Sequence, residues 1–357
     1  LEVTKSLLKR DHKYGHVLKF IRALDYLKQH FVLINGTFEV KLSLIPAYHC
    51  EGAVCFLIES PTANVFCTGD VRAETTWLNA LTRNPFIFPY TTKLRTLDNL
   101  YFDSTFEYRR EPYIEIPSNN DGIQMVVLIL LSYPKDDPQI KFSFVDTVLG
   151  FEEAWINIAR SFDATVHMNG KLRRRVESTG QSNMLVSWKT GDQQCFHVGC
   201  KCPDMPFTVR IKQCIDFNAV DYIGNFLPIP LSTVALEKLS LQFTTEKGNK
   251  IYLLNGHKWL LPRGSSQLLP ATIKMVFSRH SSYSECCRMI SKLRPRQVYP
   301  CSDLKVGWLL GFQMSRLFGK FCECPQPPSP RDFKYDRDGL LKWGPPLGEV
   351  RDRTVKA

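Results

Sequence analysis

The sequence has no long apolar run. Its most hydrophobic stretch, MVVLILL (125–131), stops well short of the ~20 residues that a membrane-crossing helix needs, so it reads as an element of a core. No cysteine pair shows CxxC spacing, although the 357 residues include 12 cysteines. Irregular cysteines in a large chain argue against a small disulfide-stapled domain. They suit thiols of a reducing compartment, some packed and some binding metal. Internal repeats are absent as well. Acidic residues are in the minority, 35 against 46 basic ones, which leaves a net charge of +11 and a pI near 9.0. Such a balance suits an anionic partner, of which nucleic acid is the commonest. The Arg173–Arg175 run by itself reads as a solvated face. An initiator methionine is also missing: the chain opens LEVTK and is read as a fragment, with no targeting signal to judge.

What is present is the composition of a globular protein, 44% apolar and 23% charged, long enough for one large core or two smaller ones. Residues 38–44 alternate apolar and polar at the period of a half-buried strand, and strand-like runs follow at 53–59, 64–67 and 99–102. After Tyr113 the texture changes: a capped helical run, a strand at 139–145, a helix over 151–162 and a strand at 164–168. Strand–helix–strand order predicts a small parallel sheet packed by helices. The first texture returns near 271, with a strand, a helix over 283–293 and a strand at 296–300. The proline-rich end beyond 321 reads as a flexible tail.

Four of these strands are each followed closely by a residue able to bind metal: His49, Asp70, Asp103 and His280. Strand ends with short following loops are where α/β folds gather ligands rigidly, and histidine with aspartate is the natural set for a hydrolytic zinc site. Each residue also has a plainer reading. His49 could be an ordinary turn histidine, Asp70 after Gly69 a β-turn residue, Asp103 a turn cap, and His280 a residue opening a helix. The coincidence of four favours metal.

The segments PAYHCEGAVCF, CTGDVR, LYFDSTF and FSRHSSYSE, in this order, resemble the DNA-processing metallo-β-lactamase/β-CASP nucleases. The resemblance runs from about Val3 to about Pro300. It implies an α/β metallo-β-lactamase αββα sandwich (1–112 and 271–320) interrupted by an inserted β-CASP domain (113–270), with the active site in the cleft between them. His49 and Asp70 would hold a first metal, Asp70 bridging to a second that His280 completes. Asp103 would orient the ligands by hydrogen bonding. Thr105, Ser281 and Ser282 would contact phosphate. Zn2+ is the implied metal, with Mg2+ an option in the second position. The family's HxHxDH signature, which supplies most of the remaining ligands, does not occur in this sequence. His12 and His16 have the wrong spacing to replace it, so the chain as it stands is expected to bind catalytic metal poorly and to cleave inefficiently.

A second metal site is implied in the inserted domain. By the resemblance its ligands are His167, His197, Cys200 and Cys214, a two-histidine, two-thiolate set suited to structural zinc. Cys202 competes with Cys200 for the third position, and packed cysteines near a strand histidine are the plainer reading. This site favours the endonuclease branch of the family over the 5′ exonuclease branch. Phe151 points the same way, because it stands where the exonucleases carry a lysine that grips a terminal 5′-phosphate. Ser302 stands where DNA-acting members normally carry valine. The expectation is a nuclear, structure-selective DNA endonuclease acting on hairpins, overhangs and strand junctions in double-strand-break repair by end joining. A DNA-dependent protein kinase and an end-joining ligase are implied as partners, and no membrane is. The alternatives are a 5′ exonuclease of crosslink repair or chromosome ends, and a scaffold that has lost its metals.

Overall fold

The computed structural model describes residues 1–26, 28–106, 114–178, 195–215, 226–323 and 333–347. The chain divides into two compact units, Leu1–Ile116 with Arg279–Ala357, and Pro117–Ser278.

The first unit is built on a six-stranded sheet in the order β1 (Gln29–Ile34), β2 (Phe38–Pro46), β3 (Val54–Glu59), β4 (Asn64–Cys67), β5 (Asn99–Phe102), β16 (Gln297–Pro300). Pairing is antiparallel from β1 to β4 and parallel from β4 through β5 to β16. One face carries Cys55, Leu57, Phe66, Leu100, Phe102 and Val298, all fully buried. Against it pack helices α2 (Thr75–Arg83), α3 (Phe88–Thr91), α7 (Tyr283–Leu293), α8 (Leu304–Leu309) and α9 (Met314–Phe318). On the other face Phe56 is 40% exposed, and it lies near the N-terminal segment that begins with α1 (Glu2–Lys9). The strands at 38–44, 53–59, 64–67 and 99–102 and the helix over 283–293 therefore lie where the apolar periodicity puts them.

In the second unit a five-stranded, all-parallel sheet runs in the order β15 (Thr272–Val276), β9 (Phe207–Cys214), β6 (Ile140–Phe144), β8 (Cys195–Val198), β7 (Thr165–Met168). It is packed by α4 (Asn119–Leu130), α5 (Glu152–Ser161) and α6 (Gly170–Ser178). Ser118 caps α4 by accepting the Asp121 N–H at 3.1 Å. At Gly122 the helix comes so near β15 that a Cβ would lie 1.8 Å from the Val276 carbonyl oxygen, so only glycine fits there. The sequence reading assigns 272–276 to the first unit. Its register with β9, Thr272↔Arg210 through Val276↔Cys214, instead satisfies its backbone inside the second.

A second, antiparallel sheet in this unit has the order β10 (Ile229–Pro230), β14 (Gln267–Pro270), β13 (His257–Leu261), β12 (Lys250–Leu254), β11 (Ser240–Thr244). The sequence reading passes over it, although one signal is present. Asn255 and Gly256, with φ of 51° and 77°, form the two-residue turn joining β12 to β13.

The expected flexible tail from 321 needs correction. Helix α10 (Lys334–Trp343) follows a buried Phe333, and Tyr335 packs on Trp308 with ring centroids 6.2 Å apart. The carboxylate of Asp336 accepts the free N–H groups of Met314 at 2.8 Å and Ser315 at 2.9 Å, at the start of α9. Two aromatic anchors and a buried cap order a segment whose composition reads as solvated. The proline run at 325–330 lies outside the described residues. Among the described residues no helix is long and apolar enough to cross a membrane.

Candidate metal centres

Each of the four predicted strand-end residues is placed by the backbone that carries it. His49 lies in the turn that joins β2 to β3, closed by the Ala47 N–H to the Ala53 carbonyl at 3.0 Å. Asp70 follows β4, Asp103 follows β5, and His280 stands just before Ser282, the cap of α7. The ligand atoms of His49, Asp70 and His280 all lie within 4.8 Å of one another. His49 Nε2 is 3.8 Å from Asp70 Oδ2, and the two imidazoles stand edge-on with centroids 5.0 Å apart.

The two histidines are oriented alike. His49 Nδ1 donates to the Arg279 carbonyl at 2.9 Å, and His280 Nδ1 donates to Asp103 Oδ2 at 2.8 Å. A carbonyl or carboxylate acceptor calls for Nδ1–H, the tautomer that leaves Nε2 as the ligating atom. Burial disfavours the charged form of His49, lowering its pKa. The Arg279 carbonyl opposes this, and the charges of Arg279 and His280 reinforce it. A neutral histidine with a free Nε2 is the form that ligates.

Asp103 touches no ligand atom except through His280. Its carboxylate is 2% exposed and also accepts the Val71 N–H at 3.0 Å, the Thr105 N–H at 3.0 Å and the Thr105 hydroxyl at 2.6 Å. It thereby ties the loop carrying Asp70 to the loop carrying His280. A second tie is Ser281, whose hydroxyl donates to the Val71 carbonyl at 2.7 Å and accepts the Ala73 N–H at 2.9 Å. Between them Arg72 is completely buried, with Nε 2.9 Å from Glu285 Oε2 and 3.6 Å from Glu74, and Nη2 donating to the Ile116 carbonyl at 3.0 Å. Glu285 in turn closes the capping box of α7 with Ser282. Sequence reasoning missed Arg72 and Glu285. The signal for Glu285 was the Ser-x-x-Glu spacing 282–285.

The phosphate contacts expected of Ser281, Ser282 and Thr105 do not fit this arrangement. Ser281 and Ser282 are 2% and 0% exposed, and both hydroxyls are engaged with backbone. The Thr105 hydroxyl is held by Asp103. All three are used to shape the site. Ser302 is likewise held by Ser104, whose hydroxyl accepts the Ser302 N–H at 3.0 Å. Phe151 is 3% exposed and packs against Phe277 with ring centroids 5.1 Å apart, as part of the second unit's core.

The second cluster lies within the second unit. His167 on β7 and His197 on β8 are register partners, with ring centroids 5.4 Å apart. Their ligand atoms and those of Cys200 and Cys202 lie within 4.8 Å of one another. His197 Nδ1 is 3.3 Å from Cys200 Sγ, and His167 Nδ1 is buried with no hydrogen-bond partner. A buried imidazole nitrogen left unbonded beside two thiols is a donor set that fits zinc. Lys141 pins the cysteine loop by donating to the carbonyls of Cys202 at 3.0 Å and Pro203 at 3.1 Å. Cys214 is not in the group. It ends β9, and β6 stands between β9 and β8, so Cys214 is displaced from His197 by about two strand spacings, ~10 Å. Cys202 takes the fourth place, and Cys200 and Cys202 belong together.

Burial, with the charges of Lys141 and His167 adding to it, lowers the pKa of His197 from 6.5 to about 4. The unfolded chain therefore binds this proton first. Without metal, the His197 contribution to stability should be complete above pH 6.5 and decline as the pH falls toward about 4. Denaturant titrations of chelator-treated protein should show wild type losing stability relative to His197→Gln across that window. Parallel curves for the two would contradict the assignment.

The mixed α/β fold, with histidine and aspartate gathered at strand ends, agrees with a metallo-β-lactamase-like fold. The curated proteins it is similar to are Artemis, Apollo and SNM1 proteins, the relatives that an Artemis-like metallo-β-lactamase/β-CASP nuclease would have. The chain is 25% identical over 316 residues to "Protein artemis" of Gallus gallus, covering 84% of this chain and 39% of that protein. It is 25% identical over 301 residues to "5' exonuclease Apollo" of Rattus norvegicus (84% and 45%). To "DNA cross-link repair protein SNM1" of Arabidopsis thaliana it is 24% identical over 272 residues (75% and 49%). The chain thus spans less than half the length of these relatives. Among solved structures, a protein of unknown function from Enterococcus faecalis V583 is similar at a TM-score of 0.47 and 16% identity, over 84% of this chain and 67% of that one. No protein-family model matches the chain.

Proposed function

We propose that this chain is the nuclease part of a DNA-repair hydrolase, and within that class an Artemis-like endonuclease that opens hairpins and trims overhangs in end joining. The observation that carries it is the pairing of His49, Asp70 and His280, each histidine presenting Nε2 because a carbonyl or carboxylate holds its Nδ1–H. These three residues would hold Zn2+, with Mg2+ as an option in a second position beside Asp70 and His280. A bound divalent ion supplies an ionised water near neutral pH and charge compensation for a phosphodiester. The protein's own part is to aim both imidazoles, through the Arg279 carbonyl and Asp103, and to leave Asp70, 62% exposed, open to solvent. The sequence holds no HxHxDH, so metal kept by these three ligands alone is expected to bind weakly and to support little cleavage. His167, His197, Cys200 and Cys202 would hold a structural zinc. Nuclear location and work beside a DNA-dependent protein kinase and an end-joining ligase belong to the same proposal.

The reading favours an endonuclease because Phe151 packs in a core instead of offering a cation to a terminal phosphate. The full-length protein, supplied with zinc or magnesium, should nick a DNA hairpin, and Asp70→Ala should remove that activity by at least a hundredfold, roughly the loss of a metal ligand's ~3 kcal/mol in the transition state. Stepwise digestion from a 5′-phosphate with hairpins left intact would instead indicate an Apollo-like exonuclease. Folded, metal-free, inactive protein would indicate a scaffold.

A further inference from the structure

The N-terminal segment is the most basic part of the chain: Lys5, Lys9, Arg10, Lys13, Lys19 and Arg22 stand against a single acid, Asp11, between residues 5 and 22. Asp11 is turned inward on its own backbone, accepting the Lys13 N–H at 3.0 Å. The bases other than Lys5 are exposed, and so is Phe20, at 77%. Lys19 Nζ lies over the Phe20 ring at 4.9 Å, and Lys13 Nζ over Tyr14 at 5.5 Å. An exposed phenylalanine within a cationic run gains nothing from the fold.

The segment is anchored to the turn that carries His49. The Thr4 hydroxyl donates to the Gly52 carbonyl at 3.1 Å, and a Cβ on Gly52 would lie 2.9 Å from the Thr4 Oγ1. Its two ends then meet the metal centre: Thr4, Arg22 and Leu24 line one cavity, of about 430 Å³, with His49, Asp70 and Phe56.

We propose that residues 5–22 form a track for single-stranded DNA leading into the His49–Asp70 cavity. Lys9, Arg10, Lys13 and Lys19 would take successive phosphates, Arg22 the phosphate at the cavity mouth, and Phe20 the face of an unstacked base. Single strands are the fitting substrate because a ring exposed on one side can stack on a base only when that base is not already stacked in a duplex. Cation and ring side by side are the combination that binds single strands without reading their sequence.

This inference rests on the nuclease reading, and metal-independent binding separates the two. A fluorescein-labelled single-stranded oligodeoxynucleotide is titrated with the chain in the presence of a chelator, over a range of salt. Wild type should bind it more tightly than the matching duplex. Lys9→Ala/Lys13→Ala/Lys19→Ala should make the log affinity–log salt slope shallower by about 2, at ~0.7 per phosphate contact. Phe20→Ala should weaken binding about tenfold with the slope unchanged, the signature of lost stacking. All four positions are exposed, and each variant is checked for wild-type circular dichroism and melting. Wild-type affinity and slope in both variants would overturn the track and leave the nuclease reading standing. A wild-type chain that binds no DNA at any salt would remove both.

Discussion

Replacing Arg72 by methionine should destabilise the first unit by about 3–5 kcal/mol, the usual cost of breaking a buried ion pair by removing one partner. Methionine fills much of the volume, so the loss is electrostatic. The Arg72 side chain is wholly inaccessible, and it serves Glu285, Glu74 and the Ile116 carbonyl together. Without it Glu285 is buried and uncompensated. Burial already pushes its carboxyl pKa up, and the Arg72 charge is the chief force holding it down. Urea unfolding near neutral pH measures the loss, and Arg72→Met/Glu285→Gln should recover part of it, because the stranded charge goes with its partner. A single-variant loss under ~1 kcal/mol would mean that the pair is solvated in a way the geometry excludes. The same substitution should loosen the metal centre, since the amides on either side of Arg72, Val71 and Ala73, are those that Asp103 and Ser281 grip.

The second large effect is in the His167–His197–Cys200–Cys202 cluster, proposed to hold zinc. Cys202→Ser should release zinc and destabilise the second unit, whereas Cys214→Ser should keep its metal. Structural zinc contributes an apparent ~10–16 kcal/mol to folding in small sites, so losing one thiolate is felt by the whole unit. Elemental analysis and the cobalt-substituted spectrum distinguish two thiolates from one. Zinc retained in Cys202→Ser and lost in Cys214→Ser would reverse the assignment and force a different strand order around β6. A metal-free wild-type protein with a native spectrum would dismiss the site altogether.

The sequence was readable where the physics is local. Period-two alternation located β2, apolar runs located β3, β4 and β5, and the positions of His49, Asp70, Asp103 and His280 just beyond strands were visible before any fold was known, whereas the Ser-x-x-Glu box that opens α7 was present but unread. It misled where composition stands in for environment. The stretch after 321 is polar and proline-rich, yet Phe333, Tyr335 and Asp336 order it by burying two rings and a cap. Hydroxyls near the metal residues, on Thr105, Ser281 and Ser282, look free to meet phosphate as letters but are engaged as atoms.

By itself, then, the sequence determined the α/β class, the strand-end residues and the two neighbourhoods where histidine gathers with aspartate or cysteine, because periodicity, turn chemistry and residue type act over a few positions. Tertiary structure alone decided that Cys202 and not Cys214 gathers with His167, His197 and Cys200, that 272–276 joins the parallel sheet of the second unit, and that Arg72 is buried between the loops of Asp70 and His280. Each depends on which strands and loops become neighbours across tens to hundreds of residues, and long-range pairing is set by the packing of the whole core.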